Sequence, residues 1–312
     1  MLVKFNNFPE VRVGNYTDQS AGTGCTVVLF EQPLLGSVSV RGGGPGSREL
    51  ALLDPSTNMN QINAVLLTGG SAFGLAAAEG VMKYLEEKDI GYKTDTAKIP
   101  IVPSAVIYDL NYKHSQIRPG SNEGYFASSE AKNEFEIGSK GVGTGANCGK
   151  LIGMEKSSKT GLGYAENNSE KIKVSVLTVC NAVGNIIDPK NGEIVAGIQA
   201  EDGYISHRAV IDENMEGLLK TNTTLGVVVT NVKLNKVELK KIADMAHDGL
   251  ARTVNPVHTM YDGDTIFVFS TNQVQADLNI TGILTADAVS DSILNGVVAV
   301  RREEEESNQN DL

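Results

Sequence analysis

Residues 63–68 read NAVLLT, an apolar run with no polar alternation. Such a run reads as a fully buried strand, and the polar face of a solvent-facing sheet has no place in it. It leads directly into GGSAFGLAAAEGVMKYLEEK, where Phe73, Ala76, Ala77, Gly80, Val81 and Tyr84 recur at helical spacing. That spacing predicts a helix with one face laid on a sheet. The last third repeats the alternation. A strand over Leu225–Val232 leads to a helix over 236–252, whose Val237, Ile242, Met245, Ala246 and Leu250 line one face. A strand over Thr265–Ser270 and a helix over Ala286–Val300 follow. Buried strands alternating with amphipathic helices define an α/β protein. The 33 glycines, 5% aromatics and absence of tryptophan suit many tight turns. With 312 residues, 41% of them hydrophobic, the chain can bury one large core or two small ones. No Pro- or Ser-rich linker and no repeat divides it, so 1–312 is read as a single domain.

Cys25–Phe30 and Gly36–Val40 predict two strands of a hairpin, with Glu31-Gln32-Pro33 between them. Ile99–Tyr108 is extended and broken by prolines, and 113–140 is polar with part of it helical. Ile172–Asn181 alternates as a strand, Asn185–Pro189 turns out of another, and ENMEGLLK (213–220) is a short helical stretch. The net charge of −11 lies partly in the run Glu303–Glu306, read as a solvated tail. No basic stripe offsets it, so nucleic acid is not an expected partner. Cys25, Cys148 and Cys180 are odd in number and far apart, which fits a reduced, cytoplasmic setting. The N-terminus has no apolar segment of a signal peptide, and no stretch is read as a membrane span.

Several motifs nearly fit and fail. GTGANCGK (143–150) lacks the first glycine of a phosphate loop, where Thr144 stands, and the hydroxyl after the lysine, where Leu151 stands. GGSAFG (69–74) follows a strand like a nucleophile elbow, but Phe73 takes the place of its second glycine. Ser71 is better read there as a helix N-cap. His114, His207, His247 and His258 do not fall at metal-ligand spacing. His247 reads as structural, while His258, close to YDGD, is placed to line a pocket.

The stretch KTNTTLGVVVTNV (220–232) crowds Thr221, Thr223 and Thr224 around Asn222, just before a buried strand. Taken alone it is a helix exit: Asn tolerates the left-handed cap, and threonines favour the strand that follows. The alternative is a threonine held ready to attack a carbonyl.

The surrounding segments carry a resemblance. They are VGNYTDQSAGTGCTVVL (13–29), RGGGPGSRELALLDP (41–55), NAVLLTGGSAFGLAAAEGVMKYLEE (63–87), IPIVPSAVIYDL (99–110), GVGTGANCGK (141–150), VCNAVGNIIDP (179–189), NTTLGVV (222–228) and MAHDGLARTVNPVHTMYDGDTIFVFST (245–271). In that order, nearly end to end, the chain resembles the self-processing aminopeptidase and amidase family. This family includes D-aminopeptidases, β-peptidyl aminopeptidases and the nylon-oligomer hydrolase. The resemblance implies a four-layer αββα sandwich of the N-terminal-nucleophile type. It implies self-cleavage at Asn222–Thr223 into fragments 1–222 and 223–312, with Thr223 as the nucleophile. Thr after Asn, with YDGD downstream, is similar to the nylon-oligomer branch, whereas aminopeptidase members carry Ser.

The same resemblance makes Asp262 and Asp264 the supports of the threonine hydroxyl and amine. Lys150 becomes a pocket residue, and Tyr108 meets substrate or oxyanion. Asn181 fits an oxyanion donor by position, at a strand end beside a glycine-containing turn. A threonine hydroxyl needs a base, and a free α-amine, with a reference pKa of about 7.7–8.0, can supply one. Each residue also has an ordinary reading: the aspartates as a DG turn, Lys150 as a loop lysine, Asn181 as a strand end. The expected activity is hydrolysis of amide bonds in small linear peptides or amide oligomers, without metal or organic cofactor, in a homo-oligomer of four or more chains. Two alternatives are an aminopeptidase releasing N-terminal D-, L- or β-amino acids and an unprocessed, non-catalytic homologue.

Overall fold

The computed structural model describes residues 1–210 and 222–310. Its main elements are β1 (Val11–Asp18), β2 (Thr23–Val40), β3 (Ile62–Thr68), α1 (Ala77–Glu87), β4 (Ser104–Val106), α2 (Ser121–Ser129), β5 (Leu162–Asn168), β6 (Lys173–Asn181), β7 (Thr223–Val232), α3 (Lys236–Thr253), β8 (Thr265–Val274) and α4 (Leu278–Asn310).

Hydrogen bonding joins nine strands, these eight and the two-residue strand Ser47–Arg48 beside β4, and β2 folds them into two layers. Its first half pairs antiparallel with β1 and β3 (Cys25 opposite Thr68), and its second half pairs antiparallel with β8 (Val40 opposite Thr265). The chain therefore does not reverse at Glu31-Gln32-Pro33 as a hairpin would. Those three residues are exposed, the register shifts between Leu29 and Leu34, and proline has no N–H to give the ladder. The strand bends there and passes from one sheet to the other.

The first layer holds β1, β2, β3 and β4, and the second holds β5, β6, β7, β8 and the end of β2. Alternate side chains sort the core into three slabs. Val28, Phe30, Val65 and Leu67 of one sheet meet Leu177, Val227, Val229, Phe267 and Phe269 of the other. Cys25, Val27, Leu29 and Leu66 turn outward onto Ala77, Val81 and Leu85 of α1. Val176, Val228, Ile266 and Val268 turn outward onto Ile242, Ala246 and Leu250 of α3 and Val289, Ile293 and Val297 of α4. The result is the αββα order of helices, sheet, sheet and helices. Burying each of the large apolar side chains contributes about 1.5–3 kcal/mol.

Both parallel pairs are crossed by helices. β3 reaches β4 through α1, and β7 reaches β8 through α3. α3 starts at Asn235, whose side chain accepts from Glu238 N (3.0 Å) while Glu238 accepts from Asn235 N (2.8 Å). That reciprocal pair satisfies N–H groups the helix leaves open.

Three expectations need correction. Residues Ser71–Ala76 form a 3-10 turn ahead of α1, so Phe73 leaves the packed face and is 61% exposed. Ser71 is the first residue of that turn, with Gly70 at the cap and no side-chain capping bond. α4 is longer than 286–300 and carries Glu303–Glu306 in its last turns, because glutamates are good helix formers. Glu304–Glu306 are exposed as a solvated run would be, but Glu303 reaches back to accept from Ser139 N (2.9 Å). By length and composition alone α4 is apolar enough to cross a membrane, and 61% of that apolar window is buried inside the protein, as in a core helix. The stretch ENMEGLLK lies outside the described residues.

Candidate active site

β6 and β7 run antiparallel, and their register brings Asn181 opposite Thr223 at the sheet's end. The parallel ladder between β7 and β8 starts two residues further on, with Leu225 opposite Thr265. The chain before β8 therefore crosses the start of β7. Asn222 N donates to Tyr261 O (2.9 Å), and Gly263 N donates to Asn222 O (3.2 Å). Gly263 N also donates to Thr223 Oγ1 (3.1 Å), and that hydroxyl bonds the carbonyl oxygen of Asn222. Thr223 Oγ1 thus lies against the peptide carbonyl just before it, within a site that leaves Thr223 4% exposed.

The glycine loop after β2 closes over this crossing. Gly44 N donates to Asp262 O (2.8 Å), and Arg41 N to Asp264 O (3.0 Å). A Cβ on Gly42 would stand 2.2 Å from Asp262 O, and one on Gly263 would stand 2.8 Å from Thr223 Oγ1. No side chain fits at either position without moving the site. A cleft of about 230 Å³ opens beside Thr223, lined among others by Gly44, Pro45, Ser71, Tyr108, Asn222 and Tyr261.

The two aspartates are held differently. Asp262 Oδ2 accepts from Thr259 N (3.0 Å) and Thr259 Oγ1 (2.5 Å), while its Oδ1 is buried with no hydrogen-bond partner among the described residues. Asp264 has both oxygens engaged. Oδ1 accepts from Thr224 N (2.7 Å), and Oδ2 accepts from His258 N (3.1 Å) and His258 Nδ1 (2.7 Å). Burial, and then the neighbouring Asp264, push the Asp262 carboxyl above the usual carboxylate range.

Lys150 is 1% exposed and points inward, so the loop-lysine reading does not hold. Its Nζ donates to Asn181 O (2.8 Å) and Asn181 Oδ1 (2.9 Å). Burial pulls its pKa down to about 7, against the opposing pull of Asp262. Asn181 Oδ1 also accepts from Asn147 N (3.1 Å), and its Nδ2 donates to Tyr108 O (2.9 Å). One amide therefore ties Lys150, the glycine loop and the cleft wall together.

The structure brings Asn222, Thr223, Asp262, Asp264, Asn181, Lys150 and Tyr108 to one end of the sheets. Sequence reasoning left out Thr259, which anchors Asp262, and saw His258 only as a pocket residue. Its spacing of six residues before Asp264 was the available signal. Among the described residues no group of three or more His, Cys, Asp or Glu side chains is arranged to hold a metal ion.

The four layers are those of an N-terminal-nucleophile hydrolase. The crystal structure of an L-aminopeptidase D-Ala-esterase/amidase from Ochrobactrum anthropi, described as a variant of that fold, superimposes with a TM-score of 0.72 at 16% identity, covering 95% of this chain and 86% of that one. Residues 6–309 match peptidase family S58, and the chain belongs to that family as an amide or peptide hydrolase. It is 37% identical to an uncharacterised aminopeptidase of Mycobacterium tuberculosis, over 92% of this chain and 91% of the relative. It is 31% identical to a 6-aminohexanoate-oligomer endohydrolase of Kocuria sp., over 86% of this chain and 75% of the relative.

Proposed function

We propose that the chain is a self-processing hydrolase whose nucleophile is Thr223, acting on amide bonds of small linear peptides or amide oligomers. The observation that carries this reading is the contact of Thr223 Oγ1 with the Asn222 carbonyl, under the Gly263 N–H. In the first step Oγ1 attacks the Asn222 carbonyl carbon. The C–N bond breaks, an ester to Oγ1 forms, and the freed nitrogen of Thr223 takes the proton. Water then cleaves the ester, leaving the Asn222 carboxylate and a free Thr223 amine, in fragments 1–222 and 223–312. That amine does not exist before the cut, so processing needs another base. Lys150, whose pKa of about 7 leaves it about half deprotonated at pH 7, is suited to it.

In the processed enzyme the same hydroxyl attacks a substrate carbonyl, with the new amine as base. The oxyanion is met by Asn181 and Tyr108; Asp262, whose Oδ1 is unpaired among the described residues, holds the hydroxyl and the amine, and Asp264 supports them through the N–H of Thr224. The amine product leaves, and water releases the acid from the acyl-enzyme. The endohydrolase activity of the Kocuria relative favours internal cleavage of linear oligomers. Release of single N-terminal residues is the second reading, favoured by the mycobacterial relative. A substrate acetylated at its amine separates them, since only an internal cleaver accepts it. The proposal includes a homo-oligomer and a cytoplasmic setting.

Intact mass spectrometry tests the reading. The wild type is expected as two chains, the smaller starting Thr-Thr-Leu-Gly, and Thr223→Ala as one folded, inactive chain. A different start, or turnover by Thr223→Ala, overturns Thr223 as the nucleophile.

A further inference from the structure

His258 stands behind the proposed nucleophile rather than beside it. On its β8 side Thr224 has no ladder partner, because the continuous ladder between β7 and β8 starts at Leu225 and an isolated bridge, Asn222 with Asp262, precedes it. The carboxylate of Asp264 takes that place, accepting from Thr224 N at 2.7 Å. β6 pairs with the start of β7 on its other edge, but on the β8 side Thr224, next to Thr223, is held by a side chain in the gap between that bridge and the ladder. A side chain can rotate where a strand cannot, so Asp264 needs its own support.

That support is His258. Its backbone N and its Nδ1 both donate to Asp264 Oδ2, at 3.1 and 2.7 Å. A carboxylate only accepts, so Nδ1 carries the proton. The backbone at His258 is left-handed (φ 56°), which folds the ring back onto the carboxylate it also meets through its own N–H. The ring is fixed from the other side by His247, edge to face at 4.8 Å between centroids. His247 is in turn held by Ser39 O, 3.1 Å from its Nε2. An unbroken series of contacts thus runs from β2 through His247 and His258 to Asp264 and the first residues of β7. Ser39, His247, His258 and Asp264 do not line the cleft; the series reaches it only at Thr223.

We propose that His258 is a positioning residue of the hydrolase, donating Nδ1–H to Asp264 so that the carboxylate holds the start of β7 and aims the Thr223 hydroxyl. This rests on Thr223 being the self-processing nucleophile. Two functions of His258 have to be told apart: its left-handed backbone and its Nδ1 donor. Asparagine accepts the same backbone conformation and places an amide N–H where Nδ1 stands. Glycine accepts the backbone and offers no donor.

The test is the cleavage rate of the pulse-labelled chain, which needs no external substrate. Cleavage of His258→Gly is expected to be about 10–100-fold slower than wild type, the loss of one hydrogen bond to a charged group at a reacting site. His258→Asn is expected to recover most of the rate. Equal rates for wild type and His258→Gly, or for the Gly and Asn variants, overturn the inference while Thr223 stands. A wild-type chain that stays whole removes the reading beneath it, and the inference with it.

Discussion

Lys150→Met, made in the uncut Thr223→Ala background so that one chain unfolds reversibly, isolates the cost of burying this lysine. In the folded protein burial pulls the Lys150 pKa from 10.5 to about 7. Between those values the unfolded chain binds a proton that the folded chain does not, so stability from this group rises with pH. Its contribution is complete above pH 10.5, falls as pH drops, and is lost below pH 7. The slope is about 1.4 kcal/mol per pH unit, or roughly 3 kcal/mol between pH 8 and pH 10. Methionine fills a similar length and carries no charge, so the variant lacks that slope. It also lacks the bonds to Asn181 O and Oδ1, a pH-independent cost of about 1–3 kcal/mol. Urea denaturation at pH 8, 9 and 10 measures the difference between the two proteins, above the range where Asp262 titrates. Lys159, half-buried, is likewise pulled down to about 7, but it is common to both proteins and cancels. The stability advantage of the parent over the variant should grow by roughly 3 kcal/mol across the range. A difference independent of pH would mean that Lys150 stays protonated, and would remove it as the base for processing.

Gly263→Ala would set a Cβ 2.8 Å from Thr223 Oγ1 and 3.0 Å from Gly44 O, so either the hydroxyl or the glycine loop must move. Cleavage followed by intact mass should slow by about 100-fold, and a wild-type rate would show that the hydroxyl position is not critical. Asp262→Asn can keep its bonds to Thr259, so it should hold its melting temperature while turnover falls about tenfold or more. Asp264→Asn must lose an acceptor for Thr224 or His258 and should also unfold earlier, by roughly 1.5–3 kcal/mol. Equal melting temperatures for the two variants would contradict their different hydrogen bonding.

The legible parts of the fold were those set by local periodicity. The runs at 62–68, 173–181 and 223–232 are strands because short, nearly continuous apolar stretches bury both faces, and 236–253 is a helix because its apolar residues recur on one face. The bend in Thr23–Val40 was misread because its two halves look like a hairpin locally. Whether the chain reverses or crosses is decided by the partners, Ile62–Thr68 on one side and Thr265–Ser270 on the other. The site divides in the same way. Thr223, Asp262 and Asp264 were reachable through a resemblance carried by short motifs. Their unequal support was not, since YDGD looks symmetric on paper while one carboxylate keeps an open oxygen and the other has none. That asymmetry depends on where the ladder between β7 and β8 begins. A strand that paired one residue earlier would supply Thr224 with a backbone acceptor, and Asp264 would be free to face Thr223. The register of two parallel strands, joined through an 18-residue helix, thus sets which aspartate is left to face the chemistry.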